Sequence, residues 1–131
     1  MSQYMNLIGQ NARKTSLTKI NTIVKNKVLK RYVSLINKEK NLIFKANKKD
    51  VKFALKKGLK NNLIERLTIN QKKLDNIKNS INKIAKLKDP VNITLKKWKR
   101  PNGLKINKVS IPIGVIGVIY ESRPNVTSDV A

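Results

Sequence analysis

One run near the end of the chain narrows the possible folds more than any other feature. From Val115 to Tyr120 the residues are uncharged and, apart from Gly117 and Tyr120, β-branched. Such a run reads as a strand buried on both faces of a parallel sheet. Directly after it come Glu121, Ser122, Arg123, Pro124 and Asn125: a carboxylate, a hydroxyl, a guanidinium, a proline and a carboxamide. They fall where an α/β unit turns from strand to helix, and open α/β sheets bind ligands at such carboxyl ends of strands. A lone parallel strand has nothing to pair with. The sequence closes at Ala131, a few residues into the expected helix, so the expectation is the front end of something longer that does not fold well alone.

Everything before that run is lysine-rich, and the 131 residues carry a net charge of +23. A balance of this kind points to nucleic acid or an anionic surface unless composition explains it first. Composition does explain it. Only Arg13, Arg31, Arg66, Arg100 and Arg123 are arginines, while Lys, Asn and Ile are all abundant, the triad expected from an A/T-biased coding sequence. Phosphate recognition favours the bidentate fork of arginine, and the interleaved aromatics of a stacking platform are missing. The charge therefore reads as a solvated, compositionally biased surface. A stand-alone basic helical protein that binds nucleic acid is the alternative reading.

With no cysteine and no histidine, the chain has no disulfide, thiol nucleophile, imidazole base or soft metal site, and no metal is expected. No run of 18 apolar residues calls for a membrane span, the start lacks a secretory pattern, and a cytoplasmic location is the default.

Residues 1–90 read as a helical part. Met5, Leu7, Ile8, Ala12 and Leu17 recur at helical spacing over residues 2 to about 16, and Ser16, Thr18 and Asn21 offer caps for a second helix over 22–38. That second helix has Val24, Val28, Leu29, Tyr32, Leu35 and Ile36 on one side and mostly Lys and Asn on the other. A third segment carries Leu42, Ile43, Ala46, Val51, Ala54 and Leu55, with an interruption expected near Asn47–Asp50 and a stop at Gly58. Thr68-Ile69-Asn70-Gln71 fits a capping box for a further helix with Leu74, Ile77, Ile81 and Ile84 on one face, closed by Asp89-Pro90.

From Ile93 the period changes. Residues 91–110 read as a β-hairpin: Ile93–Trp98 alternates imperfectly, Arg100-Pro101-Asn102-Gly103 is turn chemistry, and Leu104–Val109 alternates cleanly. An isolated hairpin is marginal in water, so Trp98 is expected to serve as core or as an oligomerisation contact.

Arg100-Pro101-Asn102-Gly103-Leu104, followed by the run from Pro112 through Gly114-Val115-Ile116-Gly117-Val118-Ile119-Tyr120-Glu121-Ser122-Arg123-Pro124-Asn125-Val126-Thr127, closely resembles the γ-glutamyl phosphate reductase (glutamate-5-semialdehyde dehydrogenase) family. Ala46-Asn47 with Asp50-Val51, Glu65-Arg66-Leu67-Thr68 and Asp89-Pro90-Val91 are similar to that family's signposts in the same order. The resemblance implies an α/β fold of the aldehyde dehydrogenase kind. Of it this chain holds amino-terminal helices (1–90), a hairpin arm (91–110) and the first βα unit of a Rossmann-type NADP-binding domain (111–131).

It also implies NADPH-dependent reduction of γ-glutamyl phosphate to glutamate semialdehyde with release of phosphate, in a homo-oligomer, through a cysteine thiolate that these residues do not supply. By the same resemblance Tyr120, Glu121, Ser122, Arg123 and Pro124 are cofactor-binding, and Asn125 donates to the developing oxyanion. No glycine-rich dinucleotide fingerprint is present, since Gly114 and Gly117 lie before and within the strand. On spacing alone a plainer role remains open: Asn125 and Ser122 as helix caps, Glu121 and Arg123 as an ion pair.

Overall fold

The computed structural model describes residues 3–18, 20–121 and 123–130. They form α1 (Gln3–Ser16), α2 (Thr22–Lys38), α3 (Lys40–Lys56), α4 (Asn61–Leu67), α5 (Gln71–Ile84), β1 (Thr94–Lys99), β2 (Lys105–Val109) and α6 (Pro124–Val130). The chain divides into two compact units, Met1–Ile20 with Lys88–Gly117 and Asn21–Leu87 with Val118–Ala131.

The larger unit is built on α2 to α5. Asn21 caps α2 by accepting the Val24 N–H at 2.9 Å, which satisfies one of the orphan donors every helix start leaves. α2 packs against α5 and α3, and Ile36, Leu74 and Ile81 form the buried cluster, with Leu29, Tyr32, Val33, Ile43, Phe44, Ile69 and Ile77 packed around it. Lys78 adds a polar tie from α5 to α2, donating to Asn37 at 2.7 Å. The same ammonium pairs with Asp75 at 2.8 Å. Hydrogen bonds from Lys78 first, and from Gln71 second, hold the Asp75 carboxyl below the ordinary carboxylate range.

α3 runs unbroken through Asn47–Asp50, where an interruption was expected. The polar residues there do not end the helix because Asn47 spends its side chain on another part of the fold. It is buried, donates through Nδ2 to the Leu67 carbonyl at 2.9 Å, and accepts the Ile69 N–H at 2.7 Å.

The stop at Gly58 is as expected. Gly58 takes φ +70°, its N–H donates to Leu55 at 3.0 Å, and that of Leu59 donates to Ala54 at 3.1 Å. This is a Schellman closure, in which a left-handed residue satisfies the last carbonyls. Gly58→Ala puts a Cβ into that left-handed conformation and is expected to cost about 1 kcal/mol. The check is a lower urea midpoint for the helical far-UV signal at unchanged slope, with Gly58→Asn losing less.

The capping box at Thr68 is corrected. Thr68 instead ends α4, donating its hydroxyl to the Ile64 carbonyl at 2.7 Å. Asn70 caps α5 by accepting the Lys73 N–H at 2.8 Å, and Gln71 reaches forward to Asp75 at 3.0 Å. The physical reason is α4, a helix of 7 residues that the sequence reading did not include. Its C-terminus occupies Thr68, and asparagine is the stronger cap two positions on. Lys73 also donates to the carbonyls of Glu65 and Thr68, a cation placed on the negative end of α4.

In the smaller unit the hairpin forms where expected. β1 and β2 are antiparallel, Trp98 pairs with Ile106, and the register shifts between Thr94 and Lys96. Gly103 takes φ +88° in the turn, and Asn102 accepts the Leu104 N–H at 3.1 Å. Ser110 closes the base, donating to the Pro90 carbonyl and accepting the Ile93 N–H at 3.0 Å. Every residue of both strands except Ile106 is exposed, Trp98 at 39%.

The expected strand over Val115–Tyr120 is not formed within this chain. The run carries neither helix nor ladder, and its side chains face solvent, Ile119 fully. The cause is the one already present in the sequence. A parallel strand needs a neighbour to receive its N–H and C=O groups, and among the described residues the only sheet is the antiparallel hairpin.

Candidate active site

Arg123 precedes α6, and its carbonyl accepts the Val126 N–H at 3.1 Å. Pro124 occupies the first helical position, where a missing N–H costs nothing and a fixed φ suits the helix. That local chemistry sets Asn125 on the first turn. Its Nδ2 lies 3.4 Å from Asp129 Oδ2, one turn on.

Arg123, Pro124, Asn125 and Asp129 line a cleft of about 530 Å³. The opposite side comes from α4, α5 and the loop joining them: Arg66, Ile69, Lys73, Asn76, Ile77 and Ser80. Three cations thus share the cleft with one carboxylate, alongside carboxamides and a hydroxyl. The Lys73 ammonium is held by main-chain carbonyls. Among the described residues no hydrogen bond or ion pair engages the guanidinium of Arg66 or of Arg123. A site so furnished has the chemistry to hold an anion and to donate to a developing oxyanion.

Glu121, Arg123 and Pro124 also line a more apolar groove, beside Ile36, Leu74 and Phe53. Tyr120 is half-exposed, with its hydroxyl donating to Thr127 at 3.3 Å. Ser122 lies outside the described residues. Of the residues expected to act together, the fold thus brings Arg123, Pro124 and Asn125 to one cleft, and Glu121 joins Arg123 and Pro124 in the other. The plainer Glu121–Arg123 ion pair is not formed. Arg66, expected only as part of the Glu65-Arg66-Leu67-Thr68 signpost, and Lys73, Asn76 and Ser80 were not expected at the site. The available signal was Arg66 itself, one of five arginines in a lysine-dominated chain.

Comparison with known proteins gives the class first. No protein-family model matches the chain. Individual relatives do match, and they are reductases: the gamma-glutamyl phosphate reductase of Kosmotoga olearia is 46% identical over 111 residues, covering 85% of this chain and 27% of the relative. Solved structures agree. The gamma-glutamyl phosphate reductase of Thermotoga maritima superposes with a TM-score of 0.83 at 37% identity, over 92% of this chain and 30% of that one. The Saccharomyces cerevisiae enzyme gives 0.90 at 31% identity, over 99% and 33%.

By sequence and by fold, the chain is similar to part of the gamma-glutamyl phosphate reductases. It spans under a third of the length of the curated relatives it matches. The aldehyde-dehydrogenase-like fold class is borne out by these structures, and the stand-alone nucleic-acid-binding alternative is not favoured. No helix among the described residues is long and apolar enough to cross a membrane.

Proposed function

We propose that this chain forms part of an NADPH-dependent γ-glutamyl phosphate reductase, which converts γ-glutamyl phosphate to glutamate 5-semialdehyde and phosphate in proline biosynthesis. The observation that carries the reading is the match to reductases of that name along nearly the whole chain. NADPH would supply the hydride. The residues present suit one end of such a molecule: an aromatic ring at Tyr120, then an exposed carboxylate at Glu121. Asn125 donates its N–H to the oxygen of the reacting carbonyl as charge gathers there. The acyl-accepting thiolate comes from outside these residues, which contain no cysteine. On this reading the enzyme is cytoplasmic and homo-oligomeric.

The test is a graft in which residues 1–131 replace the aligned segment of the Thermotoga maritima reductase. The graft is expected to reduce NADP+ with glutamate 5-semialdehyde and phosphate, and to prefer NADP+ to NAD+. A graft that folds with a sharp melting transition yet turns over neither cofactor sinks the proposal.

A further inference from the structure

Two of the chain's five arginines meet at one cleft. Lysine is the default cation of this sequence, so arginine at both places is a chemical distinction, and the distinction concerns the planar fork that grips a tetrahedral oxyanion at two oxygens. Neither fork is occupied by a partner among the described residues. Lys73, whose ammonium is tied to the carbonyls of Glu65 and Thr68, adds positive charge to the same wall. The one carboxylate in the cleft, Asp129, faces the Asn125 amide.

We propose that Arg66 and Arg123 cradle the phosphoryl group of the acyl phosphate, and afterwards the inorganic phosphate that departs. The inference deepens the proposed function and rests on Asn125 meeting the reacting carbonyl. In an acyl phosphate the phosphorus is joined to that carbonyl carbon through a single bridging oxygen, so a carbonyl held by Asn125 keeps its phosphoryl group within reach of the same cleft, where the cations suit it better than the carbon chain on the carbonyl's other side. As a thiolate forms its bond to the carbonyl carbon, the carbon–oxygen bond to phosphate breaks and its electron pair leaves on the phosphate oxygen. Two guanidiniums there stabilise the growing negative charge of the leaving group.

The substrate's other anion, the α-carboxylate, is the competing occupant, and the reverse reaction separates the two because phosphate and semialdehyde are then independent substrates. In the graft, Arg66→Gln is expected to raise the KM for phosphate at least tenfold and leave that for glutamate 5-semialdehyde within twofold, with Arg66→Lys in between. Lys56→Gln, which removes an equal charge elsewhere on the surface, should change neither. A rise confined to the semialdehyde KM would assign the cleft to the carboxylate end and overturn the proposal; so would unchanged constants, or an equal effect from Lys56→Gln. If the graft folds but has no turnover, it is titrated with inorganic phosphate and followed by the arginine Nε–H resonances. Saturable shifts at Arg66 and Arg123 that glutamate does not reproduce uphold the cradle even though the reductase reading has failed, and their absence removes it.

Discussion

Asn47→Leu is expected to cost about 2–4 kcal/mol of folding free energy, more than its near-equal volume suggests. Asn47 is 6% exposed, and both ends of its amide are used, one on the Leu67 carbonyl and the other on the Ile69 N–H. The Leu67 carbonyl belongs to the last residue of α4 and the Ile69 N–H to the connection into α5, so neither has a helical partner at hand. A leucine there leaves a donor and an acceptor half-buried with nothing to meet them, and each such group costs about 1–3 kcal/mol. Burying the new methyl groups offsets part of that. Among the described residues only Ile36, Ala54, Leu74 and Ile81 are buried and apolar, so a loss of this size falls on a small core. The measurement is the helical far-UV signal across a urea series, where the variant should lose it well before the parent chain, together with faster amide exchange at Ile69. An unchanged midpoint would mean that water replaces both hydrogen bonds without cost.

Asn47 also marks the boundary of what the sequence discloses. Local chemistry was legible. α2 is expected over 22–38 from its apolar stripe and the candidate caps Ser16, Thr18 and Asn21, and forms over Thr22–Lys38 with Asn21 as the cap; Gly58 and the Arg100–Leu104 turn are expected from the backbone conformations they need, and adopt them. Relations across the chain were not. An asparagine in the middle of a helical pattern looks like an interruption, because nothing nearby in sequence says that its amide is wanted 20 residues later by Leu67. α4 escaped notice for lack of length, since 7 residues make too short a window for periodicity to speak. The reading of Val115–Tyr120 as a strand depends on neighbours, and a strand has no ladder until something pairs with it. The cleft follows the same rule. Arg123 to Asn125 announced themselves by position after the apolar run, while Arg66 acquires its meaning only once α4 and α6 border one space.

Asn125→Ala in the graft is expected to lower kcat about 10²- to 10³-fold with little change in the KM for glutamate 5-semialdehyde. An oxyanion donor acts on charge that exists mainly in the transition state, so its loss appears in turnover rather than in ground-state binding. The competing account is structural. Asn125 donates to Asp129 one turn along α6, and a pair of that spacing on an exposed helix stabilises it by only about 0.2–0.5 kcal/mol. The two accounts divide on Asp129→Ala, which removes the intrahelical contact but keeps the carboxamide. If Asn125 works on the carbonyl, Asp129→Ala keeps turnover within a few-fold of the parent graft while Asn125→Ala does not. If both variants fall together, Asn125 serves the helix and the oxyanion role passes to another donor. Asn125→Asp sharpens the contrast: it retains the shape of the side chain, but it has no N–H to give and brings a negative charge toward the developing oxyanion. Its turnover should be no better than that of the alanine variant.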